Sequence, residues 1–584
     1  MTFPVICGLS KRTASLLLIT VLWPAFSGWS AKVAPLAKHW ILVSQGKSAY
    51  SIFVPASAAE PEKFAAEELQ RYLFEITSVK LPITRRLSEH VIQVGIDHNV
   101  SRYGQLKGLN EDAFVIQGDG KRLYLAGNTP RGTLYAVYYF LEKYVGCGWI
   151  RPGDDVVPRK SQVRLPPLLS EVREPQFSMR SVWMYPFIGD RNLRTVDWAS
   201  KNQLNWVAAG INSSNLWSEF KSREVLVPEI EKRGLKLQWG GHTFNTWVSP
   251  KKYFGAHPEY FSLINGKRDP KQLCVSNREV AGVAAKNVSK FLDENPEVDM
   301  VDVMLNDAAQ WCECSDCERM EEEKRFSVFS VGEKKTYYTH TNANIKFVNR
   351  IAQEVATKHP NVLIESLAYL MLLDAPTRVR PAKNVMVGFA DIQRRINYWY
   401  PIYFPSDQLN LVHLEEMEKW LDLVGPERFY AYKYYSRTST ARGMINMDTK
   451  AENLESQLID IRKRTFYVYS AAIPKDLWYY RLMGIRNVQT EEWDWEEVNM
   501  YVYARSLWDL SVSSDSLLED YCLRAYGGAA TPMLRHWLVL QEARDQYRSQ
   551  KSLALSYLLK ARGMTEDPNV LQRIKRIEEI WSTL

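Results

Sequence analysis

Cysteine is scarce in this chain, with seven residues in 584. So few thiols exclude a disulfide-built scaffold, and a chain this long can bury ordinary hydrophobic cores without one. Histidine is also thin, with nine residues, and none stands in an H-E-x-x-H helix, which removes the commonest zinc-protease motif. No G-x-S-x-G elbow and no glycine-rich phosphate loop after a strand is present. Low-complexity tracts, long blocks of one charge and solenoid repeats are missing too. Apart from Ala14 to Phe26, no stretch approaches the length of apolar run that spans a bilayer, and that one is too short to span comfortably. The formal net charge of +7 is small for the length, and the basic residues form no stripe. A nucleic-acid partner is therefore not expected.

What is present begins with a leader. Lys11 and Arg12 precede "TASLLLITVLWPAFSGWSA", a positive segment, an apolar segment and small residues in sequence. Residues 1–30 are expected to be a signal peptide cut after Ser30, sending the protein to the periplasm or outside the cell, with no membrane contact after cleavage. Loss of Lys11 and Arg12 leaves a charge of about +5. Aromatic residues are abundant, with 19 Trp and 31 Tyr. Most serve as core filler. In an exported protein, others suit carbohydrate, because a pyranose stacks its C–H face on a ring while an indole N–H or phenol O–H meets a hydroxyl.

Residues 39–170 read as one α/β unit. Short strands at "HWILVSQG", "SAYSIFVP", "HVIQVGI", "DAFVIQGDG" and "KRLYLAGN" alternate with amphipathic helices at "AAEPEKFAAEELQRYLFEITS" and "TPRGTLYAVYYFLEKYVG". The stretch "PGDDVVPRKSQVRLPP" reads as a turn-rich linker. Residues 176–510 then repeat strand and helix eight times, with strands at "SMRSVWMY", "LNWVAAGI", "LKLQWGGH", "MVDVMLND", "VLIESLAY", "NVMVGFAD", "RFYAYKYY" and "IRNVQTEE". Eight such strands predict a (β/α)8 barrel of TIM type. An open doubly wound sheet is the alternative, and it would want the missing phosphate loop. Residues 511–584 read as a small helical C-terminal domain.

Barrel enzymes gather their chemistry at the C-terminal ends of the strands. That rule selects Arg180 and Trp183 on strand one, His242 after strand three, Asn306 and Asp307 after strand four, and Glu365 and Tyr369 on strand five. It adds Asp391 after strand six, Tyr432 and Tyr434 on strand seven, and Glu491 and Trp493 at strand eight. Carboxylates, a histidine and rings at one rim suit glycosidic-bond cleavage, which needs a proton donor and a second group facing the anomeric carbon. Asp307 is the expected acid, with Glu491 or Glu365 as the second carboxylate. Arg180, Trp183, His242, Asn306, Tyr369, Asp391, Tyr432, Tyr434 and Trp493 would line the sugar site. Asp307 as a loop cap, Asp391 as an ion-pair partner and His242 as a structural residue are the plainer alternatives.

"FAAEELQRYLFEITSVKLPI" and "LYLAGNTPRGTLYAVYYFLEKYVGCGWIRPG" resemble the non-catalytic N-terminal domain of family 67 α-glucuronidases and family 20 β-hexosaminidases. "GHTFNTWVSPKKYFGAHPEYFSLINGKR", "QLCVSN", "NDAAQWCECSDCE", "NVMVGFAD" and "YVYARSLWD" resemble the family known as domain of unknown function 4838. The resemblance implies an exported glycoside hydrolase of α-glucuronidase-like or β-hexosaminidase-like type, built on a barrel preceded by a hexosaminidase domain 2-like unit. Family 20 enzymes end strand four in an Asp-Glu pair, and here that place holds Asn306-Asp307, so Asp307 would inherit the acid role. Asn306 lacks the charge that helps an acetamido group attack. Arg180 matches a sugar-binding arginine in "EPQFSMRS", and a uronic-acid substrate would suit it. A catalytically silent glycan-binding protein on the same scaffold is the second reading.

Cys312, Cys314 and Cys317 cluster in a Cys-x-Cys-x-x-Cys pattern with Cys274 as one distant candidate partner, while Cys147 and Cys522 lie in apolar contexts. Four thiolates could close a structural zinc site, and an oxidising compartment would favour disulfides instead. Either would clamp the loop after Asp307. No cofactor is expected for catalysis, and a zinc hydrolase centred on the cysteines is disfavoured because all-thiolate sites are closed.

Overall fold

A computed structural model describes residues 39–96, 105–184, 189–210, 222–331, 333, 335–391, 398, 400–404, 408–435, 467–492 and 497–583. Trp493 and the expected signal peptide lie outside these residues.

The N-terminal part is a six-stranded mixed sheet in the order Leu169–Arg173, Phe114–Gly118, Arg122–Gly127, Val91–Val94, Ser51–Phe53, Ile83–Thr84. Helices Glu60–Thr77 and Pro130–Phe140 pack on it. The first helix starts where the Glu62 carboxylate reaches back to the Ala59 N–H, 2.9 Å, satisfying a donor that the helix leaves unpaired. It buries Phe64, Leu69, Tyr72, Leu73 and Ile76 along one stripe. The expected linker differs. Asp154–Val156 and Gln162–Leu165 are strands, the latter pairing with Trp40–Ser44 in a ribbon of its own. Val163 and Leu165 are buried by alternation, a period the turn-forming residues around them obscure.

Eight parallel strands close a barrel in sequence order: Met179–Met184, Trp206–Gly210, Lys236–Gly240, Met300–Asp302, Leu363–Ala368, Val385–Ala390, Phe429–Lys433 and Asn487–Glu492. Each lies inside a segment read from the sequence as a strand. Almost every residue in them is buried, as expected of strands covered on both faces. Between strand three and helix Arg278–Glu294 comes a hairpin, Phe261–Ile264 with Lys267–Leu273. Its Asn265-Gly266 turn takes φ of 49° and 74°, the conformation that pair favours.

Helices Ser514–Tyr526, Ala530–Ala543, Lys551–Arg562 and Pro568–Thr583 follow, and their apolar faces share one continuous core with the barrel. Arg573 pairs with Asp154 at 2.7 Å and Arg576 with Glu497 at 2.7 Å. Among the described residues no helix is long and apolar enough to cross a membrane.

Candidate active site

The alternation of side chains along each strand sorts the polar residues into two layers inside the barrel and a third set outside it. Ser181, Gln238, Asp302, Glu365, Tyr430 and Gln489 form the deeper layer, and all are fully buried. Gln489 Nε2 donates to Ser181 Oγ (2.8 Å) and Gln238 Oε1 (2.7 Å), and Gln238 Nε2 donates to Asp302 Oδ1 (2.9 Å). Tyr430 donates to Glu365 Oε1. Glycine shapes this layer at two points. A Cβ on Gly388 would strike the Tyr430 ring at 2.4 Å. One on Gly240, where φ is +149°, would strike Asp302 at 2.4 Å. The next residue, Gly241, donates its N–H to Asp302 Oδ2 at 2.7 Å.

Burial raises the Asp302 carboxyl to about 7. Burial first, and then the neighbouring Asp302, hold Glu365 well above the ordinary carboxylate range. Among the described residues Glu365 Oε2 meets no hydrogen-bond donor, and burial beside Asp302 favours its protonated form. Glu365, expected as a second catalytic carboxylate, is thus sealed beneath the mouth and cannot touch a substrate.

Two residues further along the strands lies the mouth. Trp183 stands above Ser181, Tyr432 above Tyr430 and Glu491 above Gln489. The Trp183 and Tyr432 rings are 6.3 Å apart, and Tyr432 and Tyr434 are 5.3 Å apart. Tyr432 donates its hydroxyl to Glu491 Oε1 at 3.0 Å. Its neighbour Glu492 points outward to Arg191 and Thr195, both at 3.3 Å.

Across the ring, Asp307 follows strand four. Its side chain is 34% exposed, and Tyr369, just past strand five, donates to its Oδ1 at 2.9 Å. His242 Nδ1 donates to the Leu305 carbonyl at 2.7 Å, which leaves Nε2 on the side of Asp307, 3.9 Å from Oδ1. The His242 and Tyr369 rings are 5.6 Å apart. An open depression of about 560 Å³ beside Asp307 is lined also by Asn245, Lys271, Asn306 and Gln310.

Two other expected sugar contacts are corrected, and a third is qualified. Arg180 faces outward at the opposite end of the barrel, fully buried. It donates to Asp112 Oδ2 (2.6 Å) and to the carbonyls of Phe177 (2.8 Å) and Gln203 (2.8 Å). Asp391 also faces outward, held by Lys433 and by the Tyr398 hydroxyl at 2.6 Å. Asn306 lines the depression but its amide is engaged by the backbone, its Oδ1 accepting from Asn245 N (3.1 Å) and its Nδ2 donating to the Lys271 carbonyl (2.8 Å). For Asp391 one residue of register turns a rim residue into a wall residue, whereas Arg180 stands at the start of its strand, away from the mouth.

The cysteines sit beside this rim. The sulfurs of Cys274, Cys312, Cys314 and Cys317 all lie within 4.8 Å of one another.

The closed eight-stranded barrel preceded by a mixed sheet is a fold that solved glycoside hydrolases share. A family GH115 4-O-methyl-α-glucuronidase with specificity for decorated arabinogalactans superposes with a TM-score of 0.57 at 13% identity, over 93% of this chain and 68% of that one. A GH138 enzyme targeting pectin rhamnogalacturonan II gives 0.51 at 12% identity, over 85% of this chain and 55% of the other. More particularly, the chain belongs to the family described as domain of unknown function DUF4838, whose model matches residues 149–539. Residues 38–140 match the glycosyl hydrolase family 67 N-terminus. No curated protein matches the sequence.

Proposed function

We propose that this protein is an exported glycoside hydrolase, cleaving a glycosidic bond in a poly- or oligosaccharide that contains uronic acid or hexosamine. One observation carries the reading. Two partly exposed carboxylates, Asp307 and Glu491, stand at the same end of the barrel on strands four apart in a ring of eight, and each is held by a tyrosine hydroxyl from an adjacent strand.

Asp307 donates a proton to the leaving glycosidic oxygen, with Tyr369 fixing one carboxylate oxygen. His242 Nε2 meets either that carboxyl or a sugar hydroxyl. Glu491 faces the cationic anomeric carbon or the water that attacks it, and Trp183, Tyr432 and Tyr434 supply the rings on which the sugar stacks. The uronic-acid alternative draws support from Lys271 in the depression and from the family 67 type of N-terminal unit.

Turnover of aryl glycosides and uronic-acid oligosaccharides tests this. Asp307→Asn and Glu491→Gln should each lower kcat by about 10²- to 10⁴-fold with substrate binding retained; unchanged kcat overturns the assignment. The glycan-binding reading has one observation in its favour: an amide, Asn306, precedes Asp307, so the end of strand four presents a single carboxylate. Tight glycan binding with no turnover by the unmodified protein would establish it.

A further inference from the structure

The cysteine cluster is not needed for the chemistry proposed at the mouth, and its geometry has its own meaning. Cys274 follows the second strand of the hairpin, while Cys312 and Cys314 lie on the loop after Asp307 and Cys317 in the first turn of helix Ser315–Glu321. Cys274 Sγ is 3.7 Å from Cys314 Sγ and 3.9 Å from Cys317 Sγ. A zinc ion with four thiolates at about 2.3 Å sets the tetrahedral sulfur–sulfur edge at about 3.8 Å. Cys274, Cys312 and Cys317 are buried and Cys314 is half-buried.

The surroundings suit thiolates. Leu263 N donates to Cys312 Sγ (3.3 Å) and Cys317 N to Cys314 Sγ (3.4 Å). Ser276 Oγ lies 3.2 Å from Cys317 Sγ, 3.5 Å from Cys274 Sγ and 3.7 Å from Cys314 Sγ. Such donors spread the excess negative charge of a tetrathiolate and orient its ligands.

We infer that Cys274, Cys312, Cys314 and Cys317 bind one structural zinc ion, which bolts the hairpin to the loop that carries Asp307. Four protein ligands leave no open position, so the metal holds the loop and takes no substrate. Thiolate softness and tetrahedral spacing select zinc over magnesium or calcium. Gln272, two residues before Cys274, grips the same loop upstream. It accepts from Asn306 N at 3.0 Å and donates to the carbonyls of Asn306 (2.7 Å) and Ala308 (3.1 Å). The segment bearing Asp307 is thereby fixed at both ends. The site stands whether or not the mouth hydrolyses a glycan.

Elemental analysis of the full-length protein, purified without chelator or immobilised metal, provides the test. One zinc per chain is expected. Replacement by cobalt should give the intense visible and near-ultraviolet absorption of a tetrahedral tetrathiolate. Cys274→Ala and Cys314→Ser should lower zinc content at least about tenfold. Absence of metal from the unmodified protein, with these four cysteines recovered as disulfides under denaturing thiol titration, overturns the proposal. So does stoichiometric iron in place of zinc, or full zinc content in folded variants. The measurement on the unmodified chain decides the matter even where a variant fails to fold.

Discussion

Asp302 and Glu365 are buried together beneath the mouth, where burial favours the protonated form of each, and that arrangement has a measurable sign. Both folded-state values lie above those of an unfolded carboxyl. Below the unfolded value, folded and unfolded chains carry the same protons and nothing is lost. As pH rises through that value towards about 7, the unfolded chain has released protons that the native chain keeps, so stability falls by about 1.4 kcal/mol per pH unit per retained proton. Glu365→Gln mimics the protonated acid: its amide donates to Asp302 and its carbonyl accepts from Tyr430. Thermal denaturation from pH 4.5 to 7.5 should show a shallower decline for this variant, with Tm at pH 5 little changed. An unaltered slope would mean that Glu365 is not held protonated. This carboxyl pair was not read from the sequence. The signal was present in the alternation of Gln238, Asp302, Glu365, Tyr430 and Gln489 with apolar residues. Short, almost wholly buried strands hide that alternation, because the outward residues are apolar too. The same ambiguity explains why Asp391 read as a rim residue.

At the scale of elements, the eight barrel strands were legible because parallel strands covered on both sides are continuous apolar runs between helices of clear periodicity. The hairpin was announced only by Asn265-Gly266, and its importance lies in contacts with a loop far along the chain that no local pattern encodes. Gln272 is the residue through which it grips that loop. Gln272→Ala removes three hydrogen bonds to the backbone of Asn306 and Ala308 and should cost about 1–3 kcal/mol locally. Amide exchange across residues 306–310 should accelerate while exchange in the barrel strands stays the same. Equal acceleration throughout the barrel would show that the hairpin supports the fold and not the loop.

On the scale of the whole molecule, Asp112 is the joint between the N-terminal sheet and the barrel. It is fully buried and accepts from Arg131 (2.7 Å), Arg180 (2.6 Å) and Asn205 (2.8 Å). Burial opposes its ionisation, but the two guanidiniums outweigh burial and hold its carboxyl below the usual range. Tyr135 adds a hydrogen bond to the Leu204 carbonyl at 2.7 Å. Asp112→Ala leaves the buried Arg180 without its counter-ion and Arg131 with Glu111 alone, and should destabilise the protein by about 3–5 kcal/mol, measured by urea unfolding of the full chain. A loss under about 1 kcal/mol would mean that water enters and solvates the guanidiniums.

That joint also bears on how such a chain could be shortened. The residue that looked like a sugar ligand, Arg180, is instead the barrel's half of a lock whose other half belongs to the first sheet. A fragment starting at the first barrel strand would keep the cation and lose its anion. In this protein the leading unit is the keel of the barrel, not cargo that evolution or an engineer could trade away freely.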